Sequence, residues 1–198
     1  FDEDSLARKL STRDKSSFEI LMKTNNVKEN LIKTMDQELS NLSIKDQIKV
    51  YSYRPFDNRY VIYNNKVLQR ARQELMDNFL FDNIGICTTK QLSVSGFHHA
   101  LVTTSLTDRC FISSKTREAG YVFPLFRIGG GKNSLFDNEG VERSNLDPPF
   151  WHRLIGSFAE ALTPLTIFHY IYAILYSNVY RKKYNEFLKR DFPRIPFT

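Results

Sequence analysis

Apolar and polar positions alternate along Ile48-Lys49-Val50-Tyr51-Ser52-Tyr53, the two-residue period of a strand with one face buried. Pro55 and Asp57-Asn58 supply turn residues, and Arg59-Tyr60-Val61-Ile62-Tyr63 carries the β-branched and aromatic side chains of a second strand. The period then changes: Leu68, Leu75, Met76, Phe79 and Leu80 follow helix spacing. Short apolar runs predict further strands at residues 84–89, 100–104, 109–112 and 121–126. Residues 129–145, opening on Gly129-Gly130-Gly131-Lys132-Asn133, predict a polar loop.

Helical periodicity flanks this strand-rich middle. Before residue 47, Leu6 and Leu10 share a face, Phe18, Leu21 and Met22 continue it, and Val27, Leu31, Met35 and Leu39 recur at four-residue steps. That apolar stripe is narrow, so residues 1–46 are expected to be a helical coupling segment leaning on a neighbouring domain, with residues 47–198 as the second unit. Downstream, Asp147-Pro148 and Thr163-Pro164 each place a capping side chain before a proline suited to a first helical turn, and Ser177 can cap a last helix. That helix would bury Tyr180, Tyr184, Phe187 and Leu188 along one side. The fold class predicted is α+β: a central mixed or antiparallel twisted sheet flanked by N-terminal and C-terminal helices.

Composition adds constraints. In 198 residues, 41% hydrophobic and 14% aromatic content can build a substantial core and argues against disorder. Residues 162–180 lack Asp, Glu, Lys and Arg, but Thr163, Pro164, His169, Ser177, Asn178 and four tyrosines favour a buried helix over a membrane span. Only two cysteines are present, too few for a disulfide framework or a multi-cysteine zinc site. The opening Phe1-Asp2-Glu3-Asp4 has the wrong composition for a signal peptide. A cytoplasmic location and a piece of a longer protein are expected.

Three motifs suggest catalysis and fall short. Asp147-Pro148-Pro149-Phe150 matches the [DNS]-P-P-[YFW] of amino-methyltransferases, where an acceptor oxygen and an aromatic ring hold a flipped base. That motif should follow a buried strand well downstream of a glycine-rich methyl-donor loop; here it follows a polar loop, so a helix cap is the better account. Gly131-Lys132 fails as a phosphate loop because Phe126 and Asn133 occupy two required positions. Among the histidines His98, His99, His152 and His169, the adjacent pair would point to opposite faces of a strand and share no metal. No catalytic residue, metal site or cofactor is expected within this chain.

The charge points elsewhere. A formal net charge of +6 and a pI near 9.3 favour an anionic partner, and the cations cluster. Arg181, Lys182, Lys183, Lys189 and Arg190 line the C-terminal helix, and Arg54, Arg59, Arg70 and Arg72 bracket the first strands. These are the candidate DNA phosphate contacts, against the plainer alternative of a solvated face. Two polar stretches lie between strands. One carries Lys90, Gln91, Ser93, Ser95 and His98; the other carries Lys115 and Arg117. Lys and Arg donate to guanine O6 and N7, Gln pairs with adenine N6 and N7, and Ser serves either, so these are candidate base readers. The competing account makes them ordinary hairpin turns, with Arg117 paired to Glu118.

Several segments together resemble one family. Tyr53-Arg54-Pro55-Phe56-Asp57-Asn58-Arg59 resembles a Y-R-P-F-D-x-R block, and Arg70-Ala71-Arg72-Gln73-Glu74-Leu75-Met76 an R-P-R-x-x-V-M stretch with Ala71 for proline. Tyr121-Val122-Phe123-Pro124-Leu125-Phe126 is similar to an F-P-L strand. The run from Phe168 to Arg181 resembles Y-I-Y-A-x-L-H-S-P-x-Y-R, with Asn178 for proline, and Tyr184 to Pro196 resembles Y-x-x-F-L-K-x-D-F-P-R-I-P. The family resembled is the C-terminal specificity domain of type ISP restriction–modification enzymes, over residues 48–198 and in order. The resemblance implies a DNA target recognition domain with double-stranded DNA and the methyltransferase domain of the same polypeptide as partners. It implies S-adenosylmethionine, ATP and magnesium for the parent enzyme only. The alternatives are a truncated amino-methyltransferase lobe using Asp147 and Phe150, or a docking module that does not bind DNA.

Overall fold

A computed structural model describes Asp4 and residues 44–65, 68, 71–93, 96–128, 142–158 and 162–197. The helices expected before residue 44, Arg70, Ser95 and the loop expected at 129–141 lie outside the described residues.

A single helical turn, α1 (Ile44–Gln47), leads into β1 (Ile48–Arg54). β2 (Asp57–Ile62) folds back on β1 antiparallel, from Ile48 opposite Ile62 to Ser52 opposite Asn58, with an irregularity between Ser52 and Arg54. Both strands form where the sequence predicts them, but burial departs from the apolar–polar alternation: Val50 is exposed and Ser52 buried, with the Ser52 hydroxyl hydrogen-bonded to the Ser105 hydroxyl at 2.9 Å. Among the described residues of 68–80, the helical spacing is realised as α2 (Gln73–Met76) and a 3-10 turn at Asp77–Phe79. The cause is Asn78: its Nδ2 donates to the carbonyls of Glu74 and Leu75 at 3.0 and 2.9 Å, taking acceptors that a longer helix would use.

The central sheet is antiparallel: β3 (Gly85–Thr89) lies between β4 (Ala100–Thr103) and β6 (Gly120–Pro124). Gly85 is required at the foot of β3, since a Cβ there would sit 2.6 Å from the Phe79 ring and 3.1 Å from the Phe123 carbonyl oxygen. The short β5 (Leu106–Thr107) pairs with β1 in parallel, giving a sheet ordered β2-β1-β5, while β7 (Phe126–Ile128) pairs with β8 (Glu142–Ser144). Two expectations are corrected here. Residues 109–112 form a turn, not a strand: Asp108 Oδ1 accepts the Cys110 amide at 2.8 Å and the Asp108 carbonyl accepts the Phe111 amide at 3.0 Å, closing the chain locally. Residues 142–144, expected in the polar loop, form β8 because β7 offers them a free edge.

Every residue of β3 is buried, as it must be with both faces covered. Ile86 faces a cluster with Phe97, Ala100, Leu125, Phe168, Leu175, Tyr180 and Leu188. The next residue, Cys87, faces Tyr63, Phe79, Leu106, Phe111 and Val122. The central sheet thus has the β1–β2 side on one face and the C-terminal helices on the other. The C-terminal helices are α3 (Pro148–Phe158), α4 (Pro164–Tyr176), α5 (Asn178–Lys183) and α6 (Asn185–Leu188), of which α4, α5 and α6 supply residues to the Ile86 cluster. The expected caps are in place. Asp147 Oδ2 accepts the Phe150 amide at 3.1 Å, Thr163 Oγ1 the Thr166 amide at 3.1 Å, and Ser177 Oγ the Tyr180 amide at 3.3 Å. The architecture is α+β, with its strands distributed over three small sheets. No helix among the described residues is long and apolar enough to cross a membrane.

Candidate nucleic-acid interface

Strand pairing decides where the two polar loops meet. Thr89, the last residue of β3, pairs with Gly120, the first of β6, and Thr88 pairs with Ala100, the first of β4. The 90–98 loop therefore leaves the sheet at the edge where the 113–117 loop arrives, though the two are far apart in sequence.

A buried carboxylate fastens them together. Glu118 is 1% exposed. Its Oε1 accepts the Ser93 amide at 2.7 Å and the Ser93 hydroxyl at 2.5 Å. Its Oε2 accepts the Ser113 hydroxyl at 2.6 Å and lies 3.2 Å from His99 Nε2. Each oxygen thus takes two partners, the full acceptor capacity of a carboxylate. Burial alone would raise the Glu118 pKa; the hydrogen bonds from Ser113 and Ser93 outweigh it and hold the group at about 2. For His99, burial acts first and lowers the pKa, opposed by the Glu118 charge. A neutral His99 facing a carboxylate carries its proton on Nε2, which leaves Nδ1 to accept the His98 amide at 3.4 Å.

Around this brace the candidate readers point to solvent. Lys90, Gln91, His98, Lys115 and Arg117 are all exposed. The Lys115 carbonyl accepts the Glu118 amide at 3.0 Å, so Thr116 and Arg117 form the crest of a tight turn. Lys90 Nζ lies 5.9 Å from the centre of the Phe192 ring, which packs edge-on against Tyr121 and Phe123 of β6. Gly96 holds φ +91 in the first loop, where a side chain would be strained and a Cβ would meet His98 Nε2 at 3.3 Å. Ser93 is not a free reader: both its hydroxyl and its amide are committed to Glu118.

The phosphate candidates divide. The Lys189 carbonyl accepts the Leu92 amide at 3.1 Å, bringing the end of α6 against the first loop. Lys182, Lys183 and Arg190 are exposed, while Lys189 Nζ reaches Glu186 at 2.6 Å. Arg181 turns inward. Its Nε donates to the Leu175 carbonyl at 2.6 Å and its guanidinium lies 4.7 Å from the Tyr176 ring centre, a helix-end and packing role. Arg54 and Arg59 stack on Tyr53 at 3.9 and 3.8 Å and pair with Asp108 and Asp57. Arg72 is exposed in a left-handed conformation before α2. The structure thus gathers Lys90, Gln91, His98, Lys115 and Arg117, joins Lys189 to them through its backbone, and leaves the β1–β2 arginines in a separate, charge-matched group.

Sequence reasoning missed Glu118 and His99 as organising residues. The pairing with Arg117 that adjacency suggests does not form; Glu118 turns to Ser93, Ser113 and His99 instead, and nothing in its sequence neighbours marks it as buried. In the Asp147-Pro148-Pro149-Phe150 segment, Asp147 caps α3 and the Phe150 ring packs 4.8 Å from Phe197.

The sequence profile of the Type ISP C-terminal specificity domain matches residues 2–198. Among solved structures, a cryoEM structure of a DrdV–DNA complex is 21% identical over 100% of this chain, with a TM-score of 0.68. The ATP-dependent Type ISP restriction-modification enzyme LlaBIII bound to DNA is 18% identical over 98% of this chain, with a TM-score of 0.58. A nuclease-deletion mutant of the Type ISP enzyme LlaGI in complex with a DNA substrate mimic is 21% identical over 77%, with a TM-score of 0.52. At such identities the likeness is one of fold. This chain spans 20% of the DrdV chain and 12% of each of the other two. No curated protein matches it.

Proposed function

This chain belongs to the Type ISP C-terminal specificity domain family, and we propose that it selects the double-stranded DNA sequence on which a longer restriction–modification polypeptide acts. The observation that carries this reading is the pair of loops joined at one edge of the central sheet by Glu118. Five polar or cationic side chains project from them, with base-edge chemistry in Lys90, Gln91, Lys115 and Arg117. The exposed cations Lys182, Lys183 and Arg190, with Lys189 beside the first loop, would hold phosphates and set the register of those readers. The DNA-bound state of the similar DrdV, LlaGI and LlaBIII structures supports the same partner.

In this reading the domain itself transfers no methyl group and cuts no strand. The use of Asp147 as a cap and Phe150 as a packing ring supports that division. S-adenosylmethionine, ATP and magnesium would serve other parts of the polypeptide, including a methyltransferase domain, in the cytoplasm.

The test offers the chain a pool of DNA duplexes with a randomised centre and sequences what is retained at moderate salt. Enrichment of one recurring sequence is expected. Retention without enrichment would leave only phosphate binding, and no retention would favour a docking module. Labelled methyl transfer to DNA by the chain alone, lost on Asp147→Ala, would instead favour a catalytic lobe.

A further inference from the structure

A buried charge is an expensive way to fill a core position, because an apolar residue of similar volume needs no partners. Glu118 collects four: the amide and hydroxyl of Ser93, the hydroxyl of Ser113 and the imidazole of His99. The partners come from different places in the chain. Ser93 belongs to the first loop, His99 leads into β4, and Ser113 opens the second loop. Their convergence does little for the sheet, whose strands pair through their own backbones, and it does much for the loops, which have no ladder of their own.

We infer that Glu118 is a positioning residue for sequence choice: through Ser93, His99 and Ser113 it ties residues 90–93 and 98–99 to the 113–117 turn, so that side chains from both loops meet the base pairs of a site in a fixed register. The inference rests on the DNA-reading function proposed above. A reader held to within a fraction of an ångström by its support discriminates better than one that must be ordered on binding. Because Glu118 touches both loops, loosening it disturbs readers on both. Removing a single reader disturbs only the base pair that it contacts.

The same randomised-duplex selection separates these outcomes. Glu118→Gln keeps the shape of the side chain but places an amide NH2 where the Ser113 hydroxyl and His99 Nε2–H now donate. Ser113→Ala removes one arm and leaves the carboxylate three partners. Both variants are expected to lower discrimination at two or more positions of the enriched sequence together, by about tenfold for Glu118→Gln. Gln91→Ala or Arg117→Ala should each blur at most one position. Amide hydrogen exchange in the free protein supplies a second readout, with the loop amides of residues 90–93 and 113–118 exchanging faster in Glu118→Gln than in the wild type. An unchanged enriched sequence, or one blurred at a single position, would overturn the inference. Should Glu118→Gln fail to fold, the wild-type sequence preference in Ser113→Ala would overturn it equally. Should the wild type retain DNA without preference, the DNA-reading function falls first; unchanged exchange in Glu118→Gln would then dispose of the brace as well.

Discussion

At the scale of the residue, the most conspicuous position outside the loops is Phe56. It caps the β1–β2 hairpin at φ 62 and is 104% exposed, so its ring stands in solvent clear of the other described residues. A left-handed conformation costs a non-glycine residue about 1–2 kcal/mol, whereas a glycine there gives back about 0.5–1 kcal/mol through the freer unfolded chain. The first effect wins, and Phe56→Gly is expected to stabilise the protein by about 0.5–1 kcal/mol, read as a higher denaturant midpoint with unchanged slope. A lower midpoint would mean that the ring has a packing partner. Glu118 and His99 make a second residue-level prediction. The Glu118 carboxyl is held at about 2 against an ordinary 4.5, so the stability it contributes is full above pH 4.5 and is lost as pH falls toward 2. His99 is shifted below 6.5 by burial, with the His98 and Lys115 charges acting in the same direction and Glu118 opposing. A lowered histidine favours folding while neutral, so its contribution is present above 6.5 and declines as pH falls below that value. Both effects run the same way. Denaturant midpoints should fall from about pH 7 to about pH 5, and His99→Gln should flatten that part of the curve; parallel curves would contradict the account.

At the scale of the element, local chemistry was the part most legible in the sequence. The strand pair beginning at Ile48 and the Asp147, Thr163 and Ser177 caps each depend on a few adjacent residues, and each forms where expected, although β1 buries Ser52 and exposes Val50 against the apolar pattern. Ser177 supports a prediction of its own. Its backbone N–H donates to the Ile174 carbonyl at the end of α4, and its hydroxyl oxygen accepts the Tyr180 amide at the start of α5. Ser177→Ala should therefore cost about 1 kcal/mol of stability, and Ser177→Asp should retain most of it, by thermal or denaturant unfolding. Where the sequence misled, a distant partner had decided the outcome. The periodicity of Leu75, Met76, Phe79 and Leu80 predicts a longer helix, but Asn78 also accepts the Ile128 amide at 2.9 Å from a strand fifty residues away. Residues 109–112 have a strand's apolar character, yet the Asp108 side chain closes a turn on them. The fourfold coordination of Glu118 was illegible for the same reason: Ser93, His99 and Ser113 become its neighbours only after β3, β4 and β6 have paired.

At the scale of the whole molecule, the +6 charge proves less informative than its distribution. Arg54 and Arg59 are matched by Asp108 and Asp57, and Arg181 is folded against Tyr176, so a count of cations overstates the surface available to phosphates. Neutralising Lys182, Lys183, Lys189 and Arg190 together should weaken binding to all duplexes alike. The plot of log affinity against log salt should flatten by about one unit for each phosphate that no longer meets a cation. Arg181→Gln should act differently, lowering stability by removing the donor to the Leu175 carbonyl while changing that slope little. Coincident slopes for the wild type and the fourfold variant would reduce the helix to a solvated face. In the proposed DNA complex, the end of the β4-β3-β6 sheet bearing the Glu118-braced loops faces the bases. A structure of the protein bound to a duplex carrying its enriched sequence tests this most directly. Both loops are expected in a groove, with Lys90, Gln91, Lys115 or Arg117 within hydrogen-bonding distance of base edges and the Glu118 hydrogen bonds to Ser93 and Ser113 intact. DNA lying against another face, with both loops left in solvent, would contradict it.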